Sequence, residues 1–137
     1  MALISITRLR VRSWRFLPAF YLRAYQSTRQ ARAAEGNLDV ALLADRSNTF
    51  WTATSWTSES AMKAFMISGA HRPAMKSLLE WCDEASLVHW TQDDSVGLPS
   101  WGEAHRRLQA EGRRSKVNHP SPAHVAFEIA APRGARN

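Results

Sequence analysis

Residues 50–90 read FWTATSWTSESAMKAFMISGAHRPAMKSLLEWCDEASLVHW. β-Branched and aromatic residues over Thr49–Trp56 read as a strand, preceded by the turn composition Asp45-Arg46-Ser47-Asn48. Phe50, Thr52, Thr54 and Trp56 then share one face, and Trp51, Ala53 and Ser55 the other. Thr57 or Ser58 offers a helix cap, and Glu59 follows beside the positive helix end. Ala61, Met62, Phe65 and Met66 form the apolar side of that helix. Gly69 stops it, while Pro73 suits the first turn of another. Ala74, Leu78, Trp81 and Cys82 make the stripe of this second piece, and Leu87–Gln92 reads as a further strand. The stretch is thus a strand, a helix broken across Gly69–Pro73, and a strand.

Working outward, residues 2–13 form a first strand. Ser13 caps a helix whose apolar face is Leu17, Phe20, Tyr21, Ala24, Thr28 and Ala31, with Pro18 in the first turn. Gly36-Asn37 ends this helix, and Leu38–Leu43 gives a second strand in hairpin with the third. The order β-α-β-β-α-β, with an antiparallel sheet, is an α+β ferredoxin-like domain over residues 1–93. Residues 94–137 form a C-terminal extension expected to pack on that domain. Pro99-Ser100 precedes a helix over 101–111 that Gly112 ends. Val125, Phe127 and Ile129 alternate, which allows a short closing strand over 124–129, and the residues from Pro132 onward should fray.

The chain has 137 residues, 45% of them hydrophobic and 22% charged, which fits one ordinary globular domain and excludes a disordered chain. Its single cysteine, Cys82, excludes an internal disulfide and reads as a small core residue. The formal net charge is +6, and seven arginines precede the first acidic residue, Glu35. Arg106, Arg107, Arg113, Arg114 and Lys116 add a second basic segment. No helix-turn-helix, zinc-finger or ribonucleoprotein signature accompanies this charge, so a solvated basic surface is expected and no specific nucleic acid. The arginine-rich start has the composition of a mitochondrial presequence, but it coincides with a strand the sheet needs. No apolar run is long enough for a membrane span or a secretory signal, so the expected location is cytoplasmic.

Phe50-Trp51-Thr52-x-Thr54-x-Trp56, Ala61-Met62-x-x-Phe65, Gly69-Ala70-His71-Arg72-x-x-Met75 and His89-Trp90 together resemble the antibiotic-biosynthesis-monooxygenase-like group of the dimeric α/β-barrel superfamily. Within that group the chain is most similar to small bacterial members. The resemblance spans about residues 2–112. It implies two ferredoxin-like protomers packed sheet against sheet into a barrel, hence a homodimer. It also implies an oxidoreductase activity on activated aromatic molecules without a cofactor, or else a haem-linked role. An apolar second sheet face would need covering in any case.

Three residues are candidate catalytic groups. His71 lies at the helix break, where a neutral imidazole could act as base on an acidic phenol or enol, or as axial ligand to haem iron. The alternative is a histidine that caps the helix. Arg72 could hold a carboxylate or oxyanion, or be one more exposed cation. His89 could assist as a second acid–base group or serve as a hydrogen-bonded structural residue. Trp56, Trp51, Phe65 and Trp90 are candidates to line a flat apolar substrate, and they equally suit a core or a dimer interface. The histidines His105, His119 and His124 have no metal-ligand spacing, and no metal site is expected. No G-x-S-x-G, phosphate loop or H-E-x-x-H occurs. Glu80, Asp83 and Glu84 read as a solvated acidic helix end. The expected function is monooxygenase-like, with a non-catalytic small-molecule or haem binder as alternative. Any cofactor requirement stays open.

Overall fold

The computed structural model describes residues 1–68 and 71–133, with the side chains of His71, Arg72 and Ala74 outside the described set. At its centre β1 (Ala2–Val11) lies between β3 (Thr49–Trp56) and β4 (Cys82–Gln92). Strand β2 (Asn37–Asp45) pairs outside β3, and the two-residue β5 (Arg113–Arg114) outside β4, giving the antiparallel order β2-β3-β1-β4-β5. This is the ferredoxin-like arrangement expected, extended by one short strand where the sequence suggested only a basic turn. The sheet is open within the chain and does not close into a barrel.

Local signals account for most boundaries. Ser13 accepts from the Arg15 amide to start a 3₁₀ turn (Trp14–Phe16), which runs into α1 (Leu17–Ala33) with Pro18 in its first turn. Ser58 Oγ accepts from the Ala61 amide at 3.1 Å to cap α2 (Glu59–Met66), where Glu59 pairs with Lys63 one turn on. Helix α3 (His71–Trp81) is a separate element, as the sequence predicts, while Gly69, the expected stop, lies outside the described residues. The β2–β3 hairpin turns through Ser47 and Asn48, both left-handed, at φ 59° and 57°, as the right-handed strand twist requires. Gly36 has φ +87°, and a Cβ there would lie 2.6 Å from Ala61 Cβ. Glycine is therefore what lets the end of α1 pass α2 closely.

Two expectations are corrected. The fourth strand starts at Cys82, five residues before the predicted Leu87, so Asp83 and Glu84 lie on a strand and not at a helix end. Glu84 is buried and paired with Arg8, not solvated. Residues 124–129 do not form a strand. Ser121 and Pro122 start a short helix, α5 (Pro122–Ala126), that Phe127 ends in the left-handed region. The cap-and-proline signal outweighs the alternation of Val125, Phe127 and Ile129. The helix expected over 101–111 is present as α4 (Trp101–Glu111), capped by Ser100 on the Glu103 amide at 3.1 Å.

Strand register separates two apolar layers. On one face Ile4, Ile6, Trp51, Ala53, Val88 and Trp90 pack with Ala104 and Leu108 of α4, and with Trp101 and Ile129. The other face carries α1, α2 and α3 over two clusters. One contains Leu3, Trp56, Met62 and Phe65, and the other Val11, Phe20, Cys82 and Ala85. The face whose exposure argued for a partner sheet is thus covered by the chain's own extension.

Candidate functional site

The helix-covered face is not apolar throughout. Ser5 pairs across the sheet with Thr54 on one side and His89 on the other, and Thr7 pairs with Thr52 and Leu87. Directly paired residues of an antiparallel sheet project from the same face. Two neighbouring cross-strand rows therefore give a band of four hydroxyls and one imidazole. All five of these side chains are only partly buried. The apolar clusters flank the band: Leu3, Trp56 and Phe65 at one end, and Phe20, Val11 and Cys82 at the other. Trp56 is fully buried, stacks on Phe65 with ring centroids 5.3 Å apart, and donates from Nε1 to Thr54 Oγ1 at 2.9 Å. The indole thus joins the apolar end to the hydroxyl row.

His89 has opposite charges acting on it. Burial and the Arg113 guanidinium lower its pKa from the ordinary histidine value, while the Glu59 carboxylate pulls the other way. The net effect favours a neutral ring at neutral pH, able to accept a proton. Arg113 reaches this position because β5 pairs with Leu87, two residues away. Glu59 does so from the first turn of α2.

The sequence-derived candidates divide between the faces. Trp56, Phe65 and His89 belong to the helix-covered side. Trp51 and Trp90 belong to the opposite side, where Trp51 meets Trp101 at 6.4 Å and Trp90 lies under the Arg107 guanidinium at 4.4 Å. His71 and Arg72 open α3 in the helical layer, but their side chains lie outside the described residues. Cys82 is buried, and burial together with the Asp83 charge pushes its thiol up to about 12. An inert core residue fits that environment.

A second polar constellation lies at the α4 side of the sheet, and sequence reading missed it. Arg8 donates to Glu84 Oε1 at 2.7 Å, while Arg10 and Ser121 donate to Glu84 Oε2 at 3.1 and 2.8 Å. An open depression of about 250 Å³ beside it is lined by Arg8, Arg10, Ser47, Thr49, Glu84 and Glu128, among others. Arg8 shares the face of Ile4 and Ile6 by alternation, which was the available signal. Its partner, 76 residues away, had none. This network ties the extension to the sheet.

The sheet order and helical layer define an α+β ferredoxin-like protein. A family model, antibiotic biosynthesis monooxygenase, matches residues 6–77, and the chain belongs to that family. Solved structures share the fold at low identity. SnoaB from Streptomyces nogalater, a cofactor-independent oxygenase, is 16% identical with TM-score 0.56, over 69% of this chain and 96% of that one. A conserved protein from Methanosarcina mazei is 14% identical with TM-score 0.61, over 68% and 94%. A protein from Mycobacterium tuberculosis is 15% identical with TM-score 0.60, over 71% and 100%. No curated protein matches the sequence. Among the described residues no helix is long and apolar enough to cross a membrane.

Proposed function

We propose that the chain is a monooxygenase-like protein that binds a flat aromatic or apolar molecule between sheet and helices, over the Thr54–Ser5–His89 row. The observation that carries this reading is that row itself: a band of hydroxyls and one imidazole set between apolar clusters. Such a floor grips the polar edge of a flat phenol or enol while Trp56 and Phe65 meet its apolar body. A base that removes the acidic proton leaves an electron-rich anion. That anion is the reductant an oxygenase without a cofactor needs. His71 is the proposed base or polariser, with His89 assisting and Arg72 holding the developing oxyanion. The family membership supports the reaction class. Fold alone would not.

A homodimer belongs to this proposal only if pairing leaves α4 in place or exchanges it between protomers, since the sheet face is filled. Haem fits the described residues poorly. A porphyrin needs an apolar slot, and this floor is lined with hydroxyls. No step is assigned to it.

The test is dioxygen uptake with a panel of flat phenolic and enolic compounds. His71→Ala and His89→Ala should each lower turnover by about 100-fold, the usual size of a general-base contribution. Melting temperature should change little. Saturable binding without oxygen uptake would make the protein a binder. Unfolding of the His71→Ala variant would assign that residue a structural role instead.

A further inference from the structure

The seven N-terminal arginines fall into two groups. Arg8, Arg10 and Arg12, on and just after β1, are paired with Glu84, Asp83 and Glu80. They are part of the fold. The other four, Arg15, Arg23, Arg29 and Arg32, lie on the 3₁₀ turn and α1, and among the described residues none forms an ion pair.

The same turn and helix present large apolar side chains to solvent. Trp14 is 78% exposed, Leu22 59%, Tyr25 55% and Tyr21 53%. Helical spacing places Leu22 and Tyr25 with Pro18 and Arg29 on the face opposite the buried Phe20 and Ala31. Arg32 and Tyr21 lie on its flank, the Tyr21 ring meeting Phe50 edge-on at 5.4 Å. Arg15, Arg29 and Arg32 are exposed as well. The Arg29 guanidinium lies 5.9 Å from the Tyr25 ring centroid. No acidic residue occurs anywhere before Glu35.

We propose that this face of α1 docks on an anionic lipid bilayer. The helix would lie in the plane of the surface, with Trp14, Leu22 and Tyr25 at headgroup depth and Arg15, Arg29 and Arg32 on the phosphates. Tryptophan and tyrosine favour that interface because one end of each ring is apolar and the other polar. Charge complementarity selects the occupant. A second copy would bring the same acid-free, arginine-bearing face against itself. A nucleic-acid strand asks for cations tracking a groove, whereas here an aliphatic side chain and a proline stand between the rings of a convex helix.

Co-sedimentation of the full chain with vesicles tests this. The protein should pellet with vesicles of phosphatidylcholine containing phosphatidylglycerol and not with phosphatidylcholine alone, and salt should weaken the binding. W14A/Y25A should bind about tenfold more weakly through lost interfacial burial. R15Q/R29Q/R32Q should lose at least about tenfold through lost phosphate attraction. All these positions are exposed, so the circular dichroism and melting of both variants should match the parent. Failure to pellet with anionic vesicles overturns the proposal, as does undiminished binding by W14A/Y25A. It is equally overturned if that variant merely dissociates a solution dimer, or if a single-stranded oligonucleotide binds more tightly than the vesicles.

Discussion

Arg8 and Glu84 are both almost wholly buried, so each is tolerable only in the presence of the other. Glu84→Ala would strand the buried Arg8 guanidinium beside the Trp51 ring, whose centroid is 5.9 Å away. The expected loss is about 3–5 kcal/mol of stability, while Arg8→Met/Glu84→Met should recover much of it, as equilibrium urea unfolding would show. The protonation of Glu84 follows the same logic. Burial pushes its pKa up, but Arg8, Ser121 and Arg10 more than offset this and hold it below the ordinary carboxylate value. Its stabilising contribution is therefore present above that value and lost as pH falls through the lower, folded one. Two histidines act earlier. His89 and His124 are both lowered, first by burial and then by Arg113 and Arg114 respectively. The unfolded chain then binds more protons than the folded one once pH drops below the ordinary value of 6.5. Stability should start to decline there, well before the carboxylates titrate. Urea midpoints measured against pH should show this first step, and His89→Gln/His124→Gln should flatten it.

At the scale of elements, what was legible in the sequence was local. Ser58 and Ser100 each sit just before a helix whose first turn they cap, so short-range composition announced both starts. The separate helix carrying Pro73 and the two faces of β3 were readable for the same reason. The start of β4 was not. Trp81 and Cys82 continue the 3.6-residue stripe of α3, and Asp83-Glu84 look solvated until Arg8 and Arg10 stand opposite them. Periodicity within a segment carries no information about a cross-strand partner 74 to 76 residues away. Helix α5 shows the reverse error, in which alternating apolar residues suggested a strand although Ser121-Pro122 gave a helix start. The candidate site was half legible. Alternation placed His89 with Leu87 and Thr91. Which layer covers each face depends on the path of the extension, which alternation does not give, so the sequence alone offers Trp51 and Trp90 as lining candidates on a par with Trp56.

The whole molecule is a sheet filled on both sides by one chain. Helices α1 to α3 cover one face, and α4 with the segment through Ile129 covers the other. Within the extension, side chain to main chain bonds tie the segment through Ile129 to α4 and β5: His105 to the Ile129 carbonyl at 2.7 Å, Gln109 to Phe127 O and Ile129 N to Gln109 Oε1, both at 2.8 Å, and Arg114 to Val125 O at 2.6 Å. Ser121 Oγ to Glu84 at 2.8 Å and Arg133 N to Asp45 at 3.1 Å join it to the sheet. Two sheets cannot close on each other while α4 stays seated, because its Ala104 and Leu108 occupy the space a partner's strands would take. This arrangement makes the extension part of the core and not an appendage. If it is core, α4 opens only when the sheet opens, and its amides should exchange with the free energy of global unfolding. Leu108 is fully buried, so Leu108→Ala should cost about 2–5 kcal/mol. The loss should appear equally in the exchange of α4 and of β1 amides. Faster exchange confined to α4, with β1 protection unchanged, would instead show a cap that lifts separately and leaves Trp51 and Trp90 free for a second protomer.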